Sequence, residues 1–438
     1  DGHRFIADAL AKGATSFLVD QQELAKIDQT IIAGVHINNV SILACNDVLA
    51  TLQKLATIRR NKFKGTVYSV VGSNGKTSTK EMLASVLRCL VGESKVFATP
   101  GNLNNHIGVP LSLLSVGDEV EHCVLELGMN RKGEISFLSK MTRPHYCVVP
   151  SIGFEHMEFF DSIDDVAGAE LEVLDGMQSG RLVYPLQAAG RSVALAKSKA
   201  RSVALTLFDL QNDDGALPTG QNNTQMATVE IGHYINQSIW FDAKTYRLGE
   251  YTGQVMASNL FAILVLLKQV HELKDVQNRL ADCCSSLKIT AKGRFNKIMI
   301  GSVLLVDDTY NANPDSFKQS IRSLRELLPN GRLLCLAGHM AELGSFSKEG
   351  HQSVGDELRR CNFHDLYVCG HRDVNEMLAS FTKSNNDATK YFADSSSLSL
   401  YLQQNPNLIK GYDAILVKGS RSAKMELLLP VLQDLIEH

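Results

Sequence analysis

The sequence predicts an α/β protein built on parallel sheets, and three observations lead there. An apolar, β-branched pattern at residues 66–71 runs into a glycine-bearing loop and then at once into a helical pattern. Further strand patterns at 123–127 and 145–150 each end where a loop begins. From about Gly293 the rhythm changes: strand patterns at 303–306, 333–337, 366–369 and 414–417 are each followed by a helical one, as in a doubly wound sheet.

Taken in order, residues 1–62 carry a helix-like segment (5–12), a short strand (16–19) and a second helix (46–59). This α/β unit reads as part of an N-terminal domain, and a first residue Asp1 in place of Met suggests that earlier residues are missing. Residues 63–292 read as a central domain. Its first strand stops at Gly72-Ser73-Asn74-Gly75, where two glycines permit a tight turn. Met82, Leu83, Val86, Leu87 and Leu90 then recur at helical spacing. A β-rich patch spans 181–253, broken by the polar stretch 212–225, which reads as a loop or hairpin tip. The apolar run 260–267 is far short of a membrane span and reads as a buried helix. Residues 293–438 form the last domain.

With 438 residues the chain exceeds one ordinary core, and its 44% hydrophobic and 21% charged residues are those of a soluble globular protein. A net charge of −3 argues against a nucleic-acid partner, which calls for a basic face. Nine cysteines are scattered without any C-x-x-C, so neither a zinc site nor a redox motif is signalled, and the cytoplasm is the expected compartment.

Chemistry concentrates after the first central strand. A loop of Gly72, Ser73, Asn74 and Gly75 leading into Lys76, Thr77 and Ser78 at a helix start offers backbone N–H groups and an ammonium to phosphate. Thr77 is placed to ligate Mg2+ through its hydroxyl. The spacing is shorter than the standard phosphate loop, because Val70 stands where that pattern has glycine. Glu126 lies near the C-terminal end of its strand, the edge where open α/β sheets bind ligands. His156 follows the next strand, and Arg294, Asp307 and Asp308 lie where the last domain opens. The run Thr99-Pro100-Gly101-Asn102-Leu103-Asn104-Asn105 gathers amide side chains suited to a polar ligand. So does Thr309-Tyr310-Asn311-Ala312-Asn313-Pro314-Asp315-Ser316, where Asp315 or Ser316 suits a helix cap and Asn311 and Asn313 show no such structural role.

These motifs, with Glu126-Leu127-Gly128-Met129-Asn130, Gly338-His339-Met340-Ala341-Glu342-Leu343-Gly344 and Lys418-Gly419-Ser420-Arg421, follow one another in the order of a known family. The chain resembles the ATP-dependent muramyl ligases of peptidoglycan synthesis. Among them it is most similar to the kind that joins D-alanyl-D-alanine to a UDP-N-acetylmuramoyl tripeptide. The resemblance implies three domains: an N-terminal one for the UDP-substrate, here apparently truncated, a central P-loop ATPase-type parallel sheet, and a C-terminal Rossmann-like domain for the amine substrate. It implies ATP and Mg2+, an acyl-phosphate intermediate, and a monomer without a membrane segment. Matched by position, Lys76, Glu126 and His156 are the catalytic group. Thr77, Glu126, His156 and Glu170 form the magnesium shell. The loop residues with Asn259, Arg294 and Asp308 contact the nucleotide. Thr99, Asn104, Asn105, Asn130, Tyr310, Asn311, Asn313, Ser420 and Arg421 contact the substrates.

Some positions depart from the family. Glu170 stands where a carbamylated lysine is usual, keeping the negative sign on a shorter stem, so that it serves through a water or leaves the second metal weakened. Pro150-Ser151, Val255 and His339 replace a usual Thr-Asn, histidine and aspartate. Two rival readings therefore stay open: a degenerate homologue that binds nucleotide without efficient ligation, and a different amide ligase of the superfamily such as folylpolyglutamate synthase.

Overall fold

The computed structural model describes residues 2–24, 41–212, 223–224, 227–235, 237–247, 253–287, 293–382 and 389–437, which form three sheets. The first pairs β1 (Ser16–Asp20) with β2 (Ser41–Cys45) in parallel. The sequence reading has no strand at β2, a short and largely exposed segment without an alternating pattern.

The second sheet is the largest. Its strands are β3 (Thr66–Val70), β4 (Val96–Ala98), β5 (His122–Glu126), β6 (Tyr146–Val148), β7 (Arg181–Pro185), β8 (Ala204–Asn212), β9 (Asn223–Thr224), β10 (Ala227–Ile235), β11 (Ser238–Phe241) and β12 (Lys244–Arg247). They lie in the order β12-β11-β10-β8-β7-β6-β3-β5-β4, with β9 beside β10. Strand β3 is parallel to both β5 and β6, so the loop after β3 emerges between the C-terminal ends of its neighbours. That placement brings the residues after three strands to one edge. Strands β8 and β10 are parallel, with Thr206 opposite Thr228. Most of the stretch 212–225, read as a loop or hairpin tip, lies outside the described residues.

Helices cover both faces. On one, Met82, Leu83 and Leu87 of the helix Lys76–Val91 pack with Leu260, Phe261 and Leu264 of the helix Gly253–Leu267, whose apolar run is buried as expected. On the other, Ile135 and Leu138 of the helix Glu134–Thr142 join Val166 and Leu171 around Leu125. A disulfide between Cys89 and Cys283 ties the end of the helix Lys76–Val91 to the helix Leu280–Ser285. Sequence reading drew no such pairing, because the two cysteines are 194 residues apart.

The third sheet holds β13 (Asn296–Ile300), β14 (Val303–Asp308), β15 (Leu333–Gly338), β16 (Asp365–Cys369), β17 (Thr389–Phe392) and β18 (Ala414–Lys418). Its order is β13-β14-β18-β15-β16-β17, parallel except for β13 at the edge. The last strand of the chain thus lies in the middle, between β14 and β15. This is the three-domain α/β architecture that the sequence predicts, with an antiparallel edge strand and β17 added.

The last domain docks onto the central one beside the loop after β3. Asn313 Nδ2 donates to Asn74 Oδ1 at 2.9 Å, and the Phe154 N–H donates to Asp315 Oδ2 at 3.1 Å.

Candidate active site

The loop after β3 is held open by contacts that only glycine allows. Gly72 has φ 119°, and a Cβ there would stand 2.6 Å from Ser151 O. Gly75 has φ 82°, and its Cβ would meet Asn259 Nδ2 at 2.9 Å. Ser151 braces the loop from β6: its carbonyl accepts from Ser73 N–H at 2.9 Å, and its hydroxyl accepts from Asn74 N–H at 3.1 Å. The helix then begins at Lys76 with no side-chain cap, which leaves its first N–H groups for an anion.

The Lys76 ammonium folds back over the loop. Nζ donates to Gly72 O at 2.6 Å and to Glu155 Oε1 at 3.0 Å. Burial would lower its pKa, but the carboxylates of Glu155 and Glu170 outweigh burial and raise it. Thr77 Oγ1 donates to Glu126 Oε2 at 2.8 Å, and Asn104 Nδ2 donates to Glu126 Oε1 at 2.8 Å. Glu126, at the end of β5, is thereby fixed between the phosphate loop and the amide-rich run. Thr99 supports it from behind, accepting from the Glu126 N–H at 3.0 Å. The buried Lys80 Nζ donates to Thr99 O at 2.7 Å and Gly101 O at 3.0 Å, which ties the same run to the phosphate-loop helix.

Glu170 ends the helix Ile163–Glu170 under the loop, fully buried. Its Oε2 accepts from Gly72 N–H at 2.8 Å, while Oε1 has no partner. Burial pushes its carboxyl up to about 7, against the pull of Lys76. His156 lies in the left-handed region (φ 53°), with Nε2 3.5 Å from Glu155 Oε1 and Nδ1 2.5 Å from Glu342 Oε2. Burial alone would lower its pKa, but hydrogen bonds to the two glutamates carry it up to about 9.

A cleft of about 640 Å³ opens in front of these groups, and both large domains line it. From the central domain come Ser73, Asn74, Gly75, Lys76, Ser78, Asn104, Asn105, Glu126, Asn130, His156 and Asn259. The last domain supplies Arg294, Asp308, Tyr310, Asn311 and Asn313, with the Arg294 guanidinium 4.1 Å from the centre of the Tyr310 ring.

Several expected residues stand elsewhere or do something else. Gly72, Thr77, Thr99 and Glu170 lie behind the cleft wall. Ser420 is buried with its hydroxyl donating to His339 O at 2.7 Å, and Arg421 pairs with Glu426; neither lines the cleft. Asn313, read as having no capping role, is the N-cap of the helix Pro314–Leu327, in a capping box with Ser316. The cap uses its Oδ1, which accepts from the Ser316 N–H, while its Nδ2 donates to Asn74 Oδ1. Asp308 is occupied: Oδ2 accepts from Lys418 Nζ at 2.6 Å, and Oδ1 accepts from Phe295 N–H at 3.0 Å. Sequence reasoning missed Glu155 as the partner of Lys76, and Lys418 and Glu342 as arms of the last domain. Lys418 and Glu342 sit inside motifs already singled out and Glu155 is the neighbour of His156, but nothing in the sequence shows which way they face.

Among the described residues, no three His, Cys, Asp or Glu side chains form a ready-made metal cluster. A Mg2+ ion that takes most of its ligands from phosphate and water does not need one. The Thr77 hydroxyl with the Glu126 carboxylate fits such an ion, and the orphaned Glu170 oxygen is an anion that a nearby cation would satisfy. Both ring nitrogens of His156 face carboxylates, Nε2 that of Glu155 and Nδ1 that of Glu342, and the ring they keep protonated has no free lone pair for a cation.

Known proteins share this arrangement over the whole chain. The Mur ligase middle domain matches residues 70–266, and the domain described as Mur ligase, glutamate ligase domain, matches residues 293–421. UDP-N-acetylmuramoyl-tripeptide--D-alanyl-D-alanine ligase of Haemophilus influenzae is 30% identical over 448 residues, covering 100% of this chain and 89% of its own. The crystal structure of MurF from Acinetobacter baumannii superposes with a TM-score of 0.74 at 27% identity, covering 97% of this chain and 90% of that one. MurF ligase from Thermotoga maritima in complex with ADP gives a TM-score of 0.73 at 28% identity, covering 100% and 92%.

Proposed function

The chain belongs to the Mur ligase family, and from that premise we propose that it joins D-alanyl-D-alanine to UDP-N-acetylmuramoyl tripeptide with conversion of ATP to ADP and phosphate. One observation carries the reading. The phosphate loop, with Lys76 and the Thr77–Glu126 pair behind it, faces the Arg294–Tyr310–Asn311 wall of the other domain across a single cleft. Full-length identity to ligases of this name favours it over a folylpolyglutamate-type enzyme.

In this reaction the tripeptide carboxylate attacks the γ-phosphorus and ADP leaves. The dipeptide amine then adds to the acyl phosphate, loses a proton, and expels phosphate to leave the amide. The chain contributes position and charge more than covalent chemistry. The loop N–H groups and Lys76 hold the phosphates, and their positive charge offsets what builds up on the transferred group. Mg2+, when bound, would be held at Thr77 and Glu126, with Glu170 beneath the loop and His156 lining the same cleft, and would supply further charge neutralisation. Asn259, Arg294 and Tyr310 suit the nucleoside. The amides of Asn104, Asn105, Asn130 and Asn311 suit the polar substrates, with Thr99 acting through Glu126. We assign the domains as residues 1–62, 63–292 and 293–438, the enzyme as a monomer, and its place as the cytoplasm, where nucleotide substrates are made.

The test is phosphate release from ATP by purified protein with UDP-N-acetylmuramoyl tripeptide, expected only when D-alanyl-D-alanine is added. Turnover indifferent to the dipeptide overturns the reading. In the same assay Lys76→Ala is expected to lose about 100-fold or more in rate while remaining folded. Wild-type release from that variant would remove the loop from the mechanism.

A further inference from the structure

The run 99–107, between β4 and the helix Gly108–Leu114, has no helix or strand of its own, yet it presents Asn104, Asn105 and His106 to the cleft. Much of it is exposed, Pro100, Gly101, Asn102 and Leu103 included. On the side of β5 it is held by backbone bonds: the Thr99 N–H donates to Val124 O at 2.9 Å, and the Gly128 N–H donates to Asn104 O at 2.9 Å. The Thr99 and Gly101 carbonyls accept from a side chain instead, the Lys80 ammonium, at 2.7 Å and 3.0 Å.

Lys80 lies inside the helix Lys76–Val91 and is fully buried. A buried ammonium is costly unless each of its hydrogens is taken. Here the three acceptors are the two loop carbonyls and Glu81 Oε1, which stands 2.7 Å away. Glu81 is the next residue of the same helix, so the polar link from Lys80 to another part of the chain is the pair of carbonyls. An apolar side chain would fill the space without the desolvation cost, but it would leave both carbonyls without this donor.

The link leads to groups that act. The Thr99 hydroxyl accepts from the Glu126 N–H, and Asn104 Nδ2 donates to Glu126 Oε1. Lys80 stands one turn along the helix from Lys76 and from Thr77, whose hydroxyl donates to the other Glu126 oxygen. One helix therefore offers its N-terminus to phosphate and carries the strut of the loop beside it.

We infer that Lys80 is a positioning residue for the UDP-linked substrate: its ammonium fixes the run 99–105, so that Asn104 and Asn105 stand in the cleft before the substrate arrives. The inference rests on the substrate role given to those amides above. A loop ordered in advance spares the binding step the cost of ordering it.

The experiment is steady-state kinetics of the full chain with Lys80→Met, which keeps the length of the side chain and removes its charge and donors. The KM for UDP-N-acetylmuramoyl tripeptide is expected to rise about 10-fold or more, because the cost of ordering the loop then falls on binding. The KM for ATP is expected to stay as in wild type. A folded variant with an unchanged KM for the tripeptide overturns the role of Lys80, and so does an equal rise in both KM values, which would mean general damage to the helix. Should Lys80→Met not fold, hydrogen exchange of the wild-type protein decides instead. The Asn104 amide, which donates to Asn102 O at 2.8 Å, is expected to be protected without any ligand, and protection gained only with the tripeptide overturns the proposal. Wild-type protein without dipeptide-dependent turnover overturns the ligase reading, whereas wild-type turnover with an unchanged Lys80→Met variant overturns this inference alone.

Discussion

Lys76 shows how a single side chain is prepared for its ligand. Without nucleotide, its ammonium is neutralised by Glu155, so an arriving phosphate must displace one carboxylate or sit beside it. Two anions competing for one buried cation repel each other strongly in a partly desolvated site. Glu155→Gln removes the competitor while keeping the size and a hydrogen-bonding oxygen. ADP affinity measured without divalent cation is expected to rise on the order of tenfold, equivalent to about 1.4 kcal/mol. A fluorescence titration that gives equal or weaker binding would show that Glu155 does not compete with phosphate. Asn313 teaches the opposite lesson. Its amide looked free for a ligand, yet Asn followed by Pro314 and, three positions on, Ser316 is a helix-start signature that a stricter reading of local rules would have found.

Among the elements, the helices Pro314–Leu327 and Ser347–Arg360 are joined by Glu357, which accepts from Arg322 Nε at 2.7 Å and is also paired with Arg360. Burial would raise the Glu357 carboxyl, but the two guanidinium groups outweigh it and hold it down to about 2. A carboxylate whose folded pKa is depressed adds stability above its ordinary value, near 4.5, and loses it as pH falls toward 2. Glu357→Gln is therefore expected to lower the melting temperature at pH 7, and to lower it less at pH 3.5. An equal deficit at both pH values would assign the effect to packing and not to the charge pair. The guanidinium groups are half exposed or more, so the pair is screened and the effect modest.

At the scale of the molecule, the cleft exists because the last domain is docked onto the loops after β3 and β6. The N-terminus of the helix Pro314–Leu327 makes that contact, through Asn313 to Asn74 and Asp315 to the Phe154 N–H. Gly153 permits the approach, since a Cβ there would lie 2.3 Å from Asp315 Oδ2. Asp315→Ala removes one of these bonds without touching the helix cap. The unliganded variant is expected to show a larger radius of gyration by small-angle X-ray scattering, with ADP and Mg2+ reversing the change. A scattering profile identical to wild type would mean that Asp315 does not hold the domains together.

What the sequence by itself determined is what short stretches of chain encode. A buried strand, a glycine turn and an amphipathic helix identify the phosphate loop because each is specified within a few residues. The same holds for the parallel strands of the last domain and for the carboxylate that ends β5. Tertiary structure alone decided the partners. Lys76 with Glu155, Asp308 with Lys418, Cys89 with Cys283 and His156 with Glu342 join residues that only the packed sheets bring within reach. It also decided that β8 and β10 run parallel, since a polar connection does not encode the direction of the strand that follows. The physical reason is common to all of these: propensity and periodicity act over a turn or a strand, whereas pairing and burial depend on where the rest of the chain has gone.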